Sequence, residues 1–488
     1  MKRKEGLASK KSIHNNSLVI VIAAIAATGG LLFGFDTGVI SGAIPYFQVR
    51  FNLDSGWIEL ITTAGLVGAV LGALVSGRVS DVIGRKKVIL ASAFIFAIGA
   101  LWSGLAPSAG NLLAARFFLG IAIGVSSFAV PLYIAEISPA KSRGVLVSLF
   151  QLLITIGILA SYFSDLAFAL PESAAGYAEC WRPMLLVGIF PALILIIGMF
   201  FLPESPRWLM GKGFEDKSRA VLRKIENPDL LESTITTLKN EIEADKQNVT
   251  NWREIFKPLL HTPLIIAVGI MFVQQFTGIN TIIYYSPKIF LMSGFDGVRS
   301  AIMASVSVGV ICVVSTIISL FLVDKLGRRK LYFWGLSGMV VSLVIMGFCF
   351  AFQSSLGDYV KTITIICVWL YVGFFAGSLG PLGWLIVSEV FPLKVRGIGA
   401  SLGSLSNWLF NGMVAFTFFK IVKGLTLPGT EIVLNNENLG NPAGAFWLYA
   451  LVGAVGLVWG YYFIPETKGK SLEMIEEHWR KGKMPREL

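Results

Sequence analysis

Two ionisable residues stand inside apolar stretches of the sequence, where a charge is costly. Asp36 lies deep in the first apolar stretch, and Arg116 lies inside the fourth. A charge in hydrocarbon must be neutralised by a proton or by an opposite charge. We therefore interpret Asp36 as a proton-binding group that pairs with Arg116 when ionised and releases it when protonated. The alternative is a permanent ion pair with a structural role.

Long apolar segments carry these residues and dominate the chain. Of the 488 residues, 55% are hydrophobic and 15% are charged, and the mean hydropathy is +0.71. A helix of about 20 apolar residues crosses the hydrocarbon of a bilayer, and irregular backbone is not tolerated in contact with lipid. The sequence therefore predicts an all-α membrane protein. Its twelve transmembrane helices are expected near residues 18–41, 57–77, 87–106, 111–135, 145–169, 184–202, 263–290, 300–323, 331–352, 362–388, 398–420 and 444–464.

The basic residues concentrate in alternate loops. Lys and Arg cluster at residues 2–11, 85–87, 141–143 and 328–330, whereas the loop at 107–111 contains neither. Such a bias is typical of the cytoplasmic loops of a membrane protein. The net charge of +11 therefore reflects topology and does not indicate nucleic-acid binding. We expect a multi-pass protein of a bacterial inner membrane, in contact with the lipid bilayer and with both termini in the cytoplasm.

Three motifs occur twice, on either side of a polar stretch at residues 203–262. DVIGRK (81–86) returns as DKLGRR, EISPAKSRG (136–144) as EVFPLKVRG, and PES (203–205) as PET. The same order and orientation indicate a duplicated six-helix unit, of a kind that usually holds its substrate between the repeats and rocks around it. We predict an N-terminal six-helix bundle, a linker with short intracellular helices, a C-terminal six-helix bundle and a cytoplasmic tail, at residues 1–202, 203–262, 263–464 and 465–488.

These motifs place acidic and basic residues together at the predicted cytoplasmic helix ends. Opposite charges there can form pairs between helices that break and remake as the halves move. The alternative is that the basic residues only set the orientation of the chain. The predicted cytoplasmic latch consists of Asp81, Arg85, Glu136, Arg143, Glu204, Arg207, Asp324, Arg328, Arg329, Glu389 and Arg396.

The sequence resembles the sugar porter family of the major facilitator superfamily, which includes bacterial sugar/proton symporters and animal glucose facilitators. The matching segments span nearly the whole chain: GGLLFGFD (29–36), GRVSDVIGRKK (77–87), PESPRWL (203–209), QQFTGIN (274–280), YY (284–285), DKLGRR (324–329), GPLGW (380–384) and PETKGKSLE (465–473). The resemblance implies the two-bundle fold, a latch role for the charged motifs and sugar transport by alternating access. It also supports the proton hypothesis, because bacterial symporters carry an acid at the position of Asp36 and passive facilitators carry asparagine.

A sugar is neutral and needs amides that donate and accept hydrogen bonds, with an aromatic surface for its apolar face. Gln274, Gln275 and Asn280 offer amides in one apolar stretch, and Gly278 between them allows the helix to loosen. Hydrogen bonds between helices are the alternative role. The resemblance implies that these amides contact sugar hydroxyls and that Tyr284 and Tyr285 form an outer gate. The rest of the predicted pocket comprises Phe33, Gln151, Ile158, Gly380, Trp384, Asn407, Trp408 and Asn411.

Two positions bear on the choice of sugar. Ile158 matches the isoleucine of the glucose facilitators, which favours D-glucose or a related hexose. Cys312 stands where relatives have a sugar-contacting asparagine, and the loss of one hydrogen-bond partner is worth about 1 kcal/mol. This loss can relax or shift the specificity without abolishing binding, so the preferred sugar stays open.

Catalytic and metal-binding patterns are not evident. His14, His261 and His478 lie outside the span centres, and the sequence has no Cys/His cluster, phosphate-binding loop or nucleophile elbow. We expect a monomeric transporter without cofactor or metal rather than an enzyme, driven by a proton gradient. A facilitated-diffusion uniporter and a non-transporting sugar sensor are the alternatives. The short tails favour transport over sensing.

Overall fold

The computed structural model describes the backbone of residues 2–139, 142–247, 257–392, 395–434, 437–470 and 472–488. Within these ranges it describes all side chains except those of residues 2–16, 244–247, 324, 396, 472 and 473. Twelve segments of the described residues are long and apolar enough to span a membrane, which confirms the predicted number. The sixth, seventh and tenth of these segments are each interrupted within the span.

The first half of the chain supplies the first six spans. Its helices are α1 (Lys2–Phe51), α2 (Ser55–Ile83), α3 (Arg85–Gly104), α4 (Ala109–Ile137), α5 (Arg143–Phe168), α6 (Trp181–Leu186) and α7 (Ile189–Phe201). Two of these helices have a side-chain hydrogen bond at their N-terminus. The Asp54 carboxylate accepts a hydrogen bond from Trp57 N at 2.9 Å, and the Ser108 hydroxyl accepts one from Asn111 N at 3.3 Å. These contacts are N-caps, and they fix where α2 and α4 begin. The helix α1 continues beyond the predicted end at residue 41, through Pro45.

Three short helices follow, as predicted for the linker between the halves. They are α8 (Pro206–Gly211), α9 (Glu215–Ile225) and α10 (Leu231–Gln247). The second half contains α11 (His261–Phe276), α12 (Ile279–Met292), α13 (Val298–Leu326), α14 (Arg328–Ala351), α15 (Gln353–Leu356), α16 (Tyr359–Ala376), α17 (Leu379–Val390), α18 (Arg396–Gly424), α19 (Ala443–Phe463) and α20 (Leu472–Arg480). Two strands, β1 (Val433–Leu434) and β2 (Glu437–Asn438), form an antiparallel hairpin that the sequence did not predict.

The seventh span breaks where the sequence predicts that it loosens. Gly278 separates α11 from α12 and has φ of +89°, a backbone conformation that residues with a Cβ rarely adopt. The tenth span breaks similarly at Gly377 and Ser378, between α16 and α17. Broken helices expose backbone groups at membrane depth, where they can meet a ligand or a polar side chain.

The helices pack as two halves. In the first half α1 lies against α5 and α2 against α4, and in the second half α14 lies against α16 and α19 and α11 against α18. Because the number of spans is even, both chain ends lie on one side of the bundle. We name this side the terminal side; it holds Gly84, Gly327 and the linker helices. The opposite side, the far side, holds residues 52–54, 169–180, 293–297, 425–434 and 437–442.

The two halves meet along three pairs of helices. These are α2 with α18, α5 with α13 and α1 with α12. On the far side the Glu59 carboxylate accepts a hydrogen bond from Phe419 N at 2.8 Å, and Glu437 accepts hydrogen bonds from Ser55 N at 2.9 Å and Gln48 Nε2 at 3.2 Å. The bundle is therefore closed on the far side.

Candidate substrate cavity and proton site

Asp36 and Arg116 form a buried ion pair with two hydrogen bonds. Arg116 Nη2 donates to Asp36 Oδ2 at 2.9 Å, and Arg116 Nη1 donates to Oδ1. Asp36 is 4% exposed and Arg116 is 3% exposed, and they lie on α1 and α4 of the same half. The structure therefore brings together the two residues that the sequence pairs. Two opposite charges joined by a bidentate pair of hydrogen bonds offset much of the free energy that it costs to bury each charge.

A cavity between the two halves reaches this pair. It is lined by residues of α1, α2, α4, α12 and α18, including Phe33, Asp36, Arg116, Tyr284 and Trp408. The rings of Phe33 and Trp408 come from opposite halves and have centroids 5.1 Å apart. The ion pair thus contributes to the wall of a space that both halves form, and its charge can respond to what occupies that space.

Gln274 is fully engaged within the protein. Its Nε2 donates to the carbonyls of Leu379 at 2.8 Å and Gly380 at 3.1 Å, at the start of α17. Its Oε1 accepts hydrogen bonds from Asn407 Nδ2 at 2.7 Å and from Gln275 Nε2 at 3.4 Å. This side chain therefore joins α11 to α17 and α18 and has no donor to spare in this arrangement.

Other polar side chains have donor or acceptor atoms without a hydrogen-bond partner among the described residues. Asn280 Nδ2 donates to Gln275 Oε1 at 2.7 Å, and Asn411 Nδ2 donates to the Tyr284 hydroxyl at 3.3 Å. Asn411 Oδ1 and Trp408 Nε1 are buried and have no hydrogen-bond partner among the described residues. An unpaired buried acceptor and donor are costly, so a ligand that pairs with them would gain free energy.

Gln151, Ile158, Trp384 and Tyr285 are not among the residues that line this cavity. Gln151 is half-buried, Ile158 is buried, and Trp384 is 38% exposed on α17. Tyr284 and Tyr285 are both buried in α12, and the Tyr285 hydroxyl donates to the Ala415 carbonyl at 3.1 Å. Their roles in sugar contact and gating stay predictions.

The first charged motif forms a cluster on the terminal side of the first half. Arg85 Nε and Nη2 donate to Glu136 at 3.0 and 3.1 Å, and Arg85 Nη1 lies 2.9 Å from Asp81 Oδ1. The Ser205 hydroxyl also donates to Glu136. Glu204 accepts hydrogen bonds from the backbone N–H groups of Lys86 and Ser205. This motif therefore joins α2, α3 and α4 to the start of the linker.

The second motif repeats this arrangement in the second half. Arg328 Nη2 donates to Glu389 at 2.8 Å, and Glu466 accepts from the backbone N–H groups of Arg328 and Arg329 at 2.9 and 3.2 Å. The Thr467 hydroxyl donates to Glu389. Each cluster lies within its own half. The predicted latch therefore consists of two internal braces in this state, and whether they break during transport stays a prediction.

Other latch residues are placed differently. Arg207 pairs with Glu241 of α10 at 3.1 Å, and Arg329 Nη1 donates to the Ile464 carbonyl at 2.7 Å. Arg143 is exposed and makes no ion pair with a described residue. The side chains of Asp324 and Arg396 lie outside the described residues.

Four further polar residues at structurally important positions escaped the sequence reasoning. Glu59 and Tyr162 connect the two halves, Glu437 connects three helices on the far side, and Glu466 caps the second brace. For Glu466 a signal existed, because PET at 465–467 repeats PES at 203–205. Glu59 also offered one, as a lone acid at the edge of an apolar stretch.

A family model described as "Sugar (and other) transporter" matches residues 22–479. The chain belongs to the sugar porter family. It is 36% identical over 490 residues to the galactose-proton symporter of Escherichia coli strain K12, covering 99% of this chain and 98% of that protein. It is 39% identical over 393 residues to a D-xylose transporter of Levilactobacillus brevis, covering 80% of this chain and 84% of that protein.

The fold matches that of a solved sugar porter. The proton:xylose symporter XylE of Escherichia coli, bound to 6-bromo-6-deoxy-D-glucose, superimposes with a TM-score of 0.78 at 29% identity, over 95% of this chain and 100% of that one. The major facilitator fold is thereby confirmed. These relatives are transporters, so the expectation that this multi-pass membrane protein is not an enzyme is also confirmed.

Proposed function

We propose that this protein is a proton-coupled symporter of a monosaccharide, a hexose such as D-glucose or a close relative of it, that works by alternating access. The observation that carries the proposal is the buried Asp36–Arg116 pair in the wall of a cavity between the halves. The names of the relatives support it, since the galactose and xylose porters described above include proton symporters.

The cavity has a volume of about 10 Å³ in this state and must widen to admit a sugar, but the side chains around it suit a neutral, hydroxylated ring. The Phe33 and Trp408 rings, which are tilted by 41° to each other, provide an apolar surface, and Asn411 Oδ1 and Trp408 Nε1 provide one acceptor and one donor. Sugars are held by such combinations of aromatic faces with a few placed polar groups. Ile158 is buried in α5, and the preference for a hexose rests on the sequence-based comparison at this position.

Proton coupling follows from the electrostatics of the pair. While Asp36 is ionised, its charge and that of Arg116 compensate each other in a water-poor environment. A proton on Asp36 leaves Arg116 without its partner, so the guanidinium must find another acceptor or water. The two states therefore favour different arrangements of α1 and α4. A sugar that prefers one of these arrangements becomes linked to the proton.

The orientation is part of the proposal. The terminal side carries the basic clusters at residues 85–87 and 328–330, and such clusters favour the cytoplasm. We infer that both termini are cytoplasmic, that the membrane is a bacterial inner membrane, and that the far side faces outward. In this arrangement the present state is closed to the outside.

The test uses purified protein in proteoliposomes with an imposed pH gradient and a panel of labelled hexoses and pentoses. Wild-type protein is expected to accumulate its sugar, driven by protons that move down their gradient. The medium should become more alkaline as the sugar enters. Asp36→Asn is expected to lose accumulation while sugar exchange persists, because the amide cannot take up a proton. Asp165→Asn is the control, since Asp165 is a buried acid of the same half that forms no ion pair with a described residue.

Two outcomes would contradict the proposal. Accumulation by Asp36→Asn equal to wild type would remove the proton role of Asp36. Sugar exchange by wild-type protein without any response to the pH gradient would identify a facilitated-diffusion uniporter instead.

A further inference from the structure

Pro287 leaves a backbone carbonyl of α12 without its usual partner. In an α-helix the carbonyl of residue 283 accepts a hydrogen bond from the N–H of residue 287, and proline has no N–H. Ile283 is 7% exposed, so water cannot readily replace that bond. A buried carbonyl without a partner in a membrane protein costs several kcal/mol. The helix therefore needs a donor from elsewhere at this point.

Tyr162 supplies this donor from the opposite half. Its hydroxyl donates to the Ile283 carbonyl at 3.0 Å, and the side chain is fully buried. Tyr162 lies on α5 and Ile283 on α12, so the bond crosses the interface between the two halves. The bond can exist only while these helices are in contact.

A second cross-half contact involves the backbone of α18. The N–H of Phe419, within α18, donates to Glu59 Oε1 at 2.8 Å, and the N–H of Lys420 donates to the same oxygen at 3.4 Å. Lys420 Nζ lies 3.5 Å from the other oxygen of Glu59, which is 1% exposed. Glu59 comes from α2, in the first half.

We propose that Tyr162 and Glu59 are positioning residues that hold the far side closed by hydrogen bonding to backbone groups of helices in the opposite half. Separation of the halves on the far side breaks both contacts together. It leaves the Ile283 carbonyl and the Glu59 carboxylate to be rehydrated. The closed state is thereby favoured over the open one until ligand binding offsets the difference. The inference rests on the alternating-access part of the proposed function and not on the identity of the sugar.

The chain offers matched control tyrosines. The Tyr371 hydroxyl donates to the Thr277 carbonyl at 2.8 Å and the Tyr332 hydroxyl to the Gly456 carbonyl at 2.7 Å. Both are buried bonds from a tyrosine to a helix backbone, but each joins helices of the second half only. Removal of either hydroxyl should affect the stability of that half without favouring separation of the halves.

The experiment measures the far-side opening by electron paramagnetic resonance distances in nanodiscs. Spin labels are attached at Leu170 and Leu427, which are exposed far-side residues of opposite halves, after the four native cysteines are changed to serine. Wild-type protein should give one main distance. Tyr162→Phe and Glu59→Leu, which remove the hydroxyl donor and the carboxylate acceptor, should each raise the population with a longer distance about 5-fold, whereas Tyr371→Phe should leave the distribution unchanged.

Pro287→Ala provides a second, independent arm. Its new N–H gives the Ile283 carbonyl a partner within α12, so adding Tyr162→Phe to it should produce no further long-distance population. If Tyr162→Phe and Glu59→Leu both give the distance distribution of Tyr371→Phe, the proposal is wrong. Because the distances are measured without sugar or gradient, failure of sugar transport by the wild type would contradict the proposed function and leave this test unaffected.

Discussion

Glu136 and Glu389 occupy equivalent places in the two halves. Each carboxylate accepts hydrogen bonds from the Nε and Nη2 groups of an arginine that directly follows a glycine with positive φ, Arg85 in the first half and Arg328 in the second. Each also accepts a hydrogen bond from a hydroxyl of the chain segment that follows its bundle. The duplicated sequence thus produces a duplicated contact, and each copy stabilises only its own half.

The two braces should differ in strength. The side chain of Glu136 is 6% exposed and that of Glu389 is 20% exposed. Loss of one partner of a buried pair costs about 3 kcal/mol or more, and solvent reduces this cost at the more exposed site. We therefore expect Glu136→Gln to lower the melting temperature more than Glu389→Gln does, as measured by thermal unfolding in detergent.

Additivity tests whether the braces act separately. The free-energy changes of distant sites without shared partners usually add within about 0.5 kcal/mol. The double variant should therefore show the sum of the two single losses. Glu241→Gln, which breaks the exposed pair with Arg207, serves as a control and should change stability by less than about 1 kcal/mol. A strongly non-additive double variant would show that the clusters are coupled across the halves.

The sequence predicts features that are encoded in one segment or in a repeated motif. It misses contacts that depend on how the two halves pack against each other. The spans follow from apolar length, the break at Gly278 follows from its residue type, and the Arg85–Glu136 pair follows from a repeated motif. Pro287 is equally visible in the sequence, but nothing local indicates that Tyr162 reaches the carbonyl it frees. Burial and donor geometry at that point are set by the packing of α5 against the second half.

Gln274 should act as a structural residue. Its amide joins α11 to the start of α17 and to Asn407, and no donor remains for a sugar hydroxyl. Gln274→Ala should therefore lower the melting temperature, since the buried Asn407 amide loses its oxygen acceptor and keeps the weaker Met271 sulfur at 3.4 Å, at a cost of about 1 to 3 kcal/mol. Gln275→Ala is the comparison, because Gln275 bonds only to neighbouring amides of the same segment. A Gln274→Ala protein with unchanged stability and weakened sugar binding would contradict this assignment.

Trp408 should contribute a hydrogen bond to the sugar as well as a ring surface. Trp408→Phe keeps an aromatic ring beside Phe33 and removes the unpaired Nε1–H. We expect a loss of affinity of about 5-fold, corresponding to about 1 kcal/mol, with little change in the melting temperature. Binding of the labelled sugar to purified protein measures this effect.

Trp369 provides the control for that measurement. Its Nε1 already donates to the Ser307 hydroxyl at 2.7 Å, between two helices of the second half. Trp369→Phe should lower stability and leave sugar affinity unchanged. Equal affinity losses in both variants would mean that Trp408 acts through the general stability of the bundle.

Gly120 should tolerate no side chain, because α2 and α4 touch there through their backbones. A Cβ atom at Gly120 would lie 1.9 Å from the Gly65 carbonyl oxygen, so one helix has to move away from the other. Small residues at such crossings allow the close packing that drives helix association in membranes.

Gly144, at the start of α5, has no atom within 4 Å of the position that its Cβ would take, and it provides the control. Gly120→Ala should sharply reduce the melting temperature and the yield of folded protein, whereas Gly144→Ala should leave stability equal or about 1 kcal/mol higher through helix propensity. Thermal unfolding of both proteins decides the matter, and equal stability would mean that α2 and α4 do not approach as closely as the structure shows.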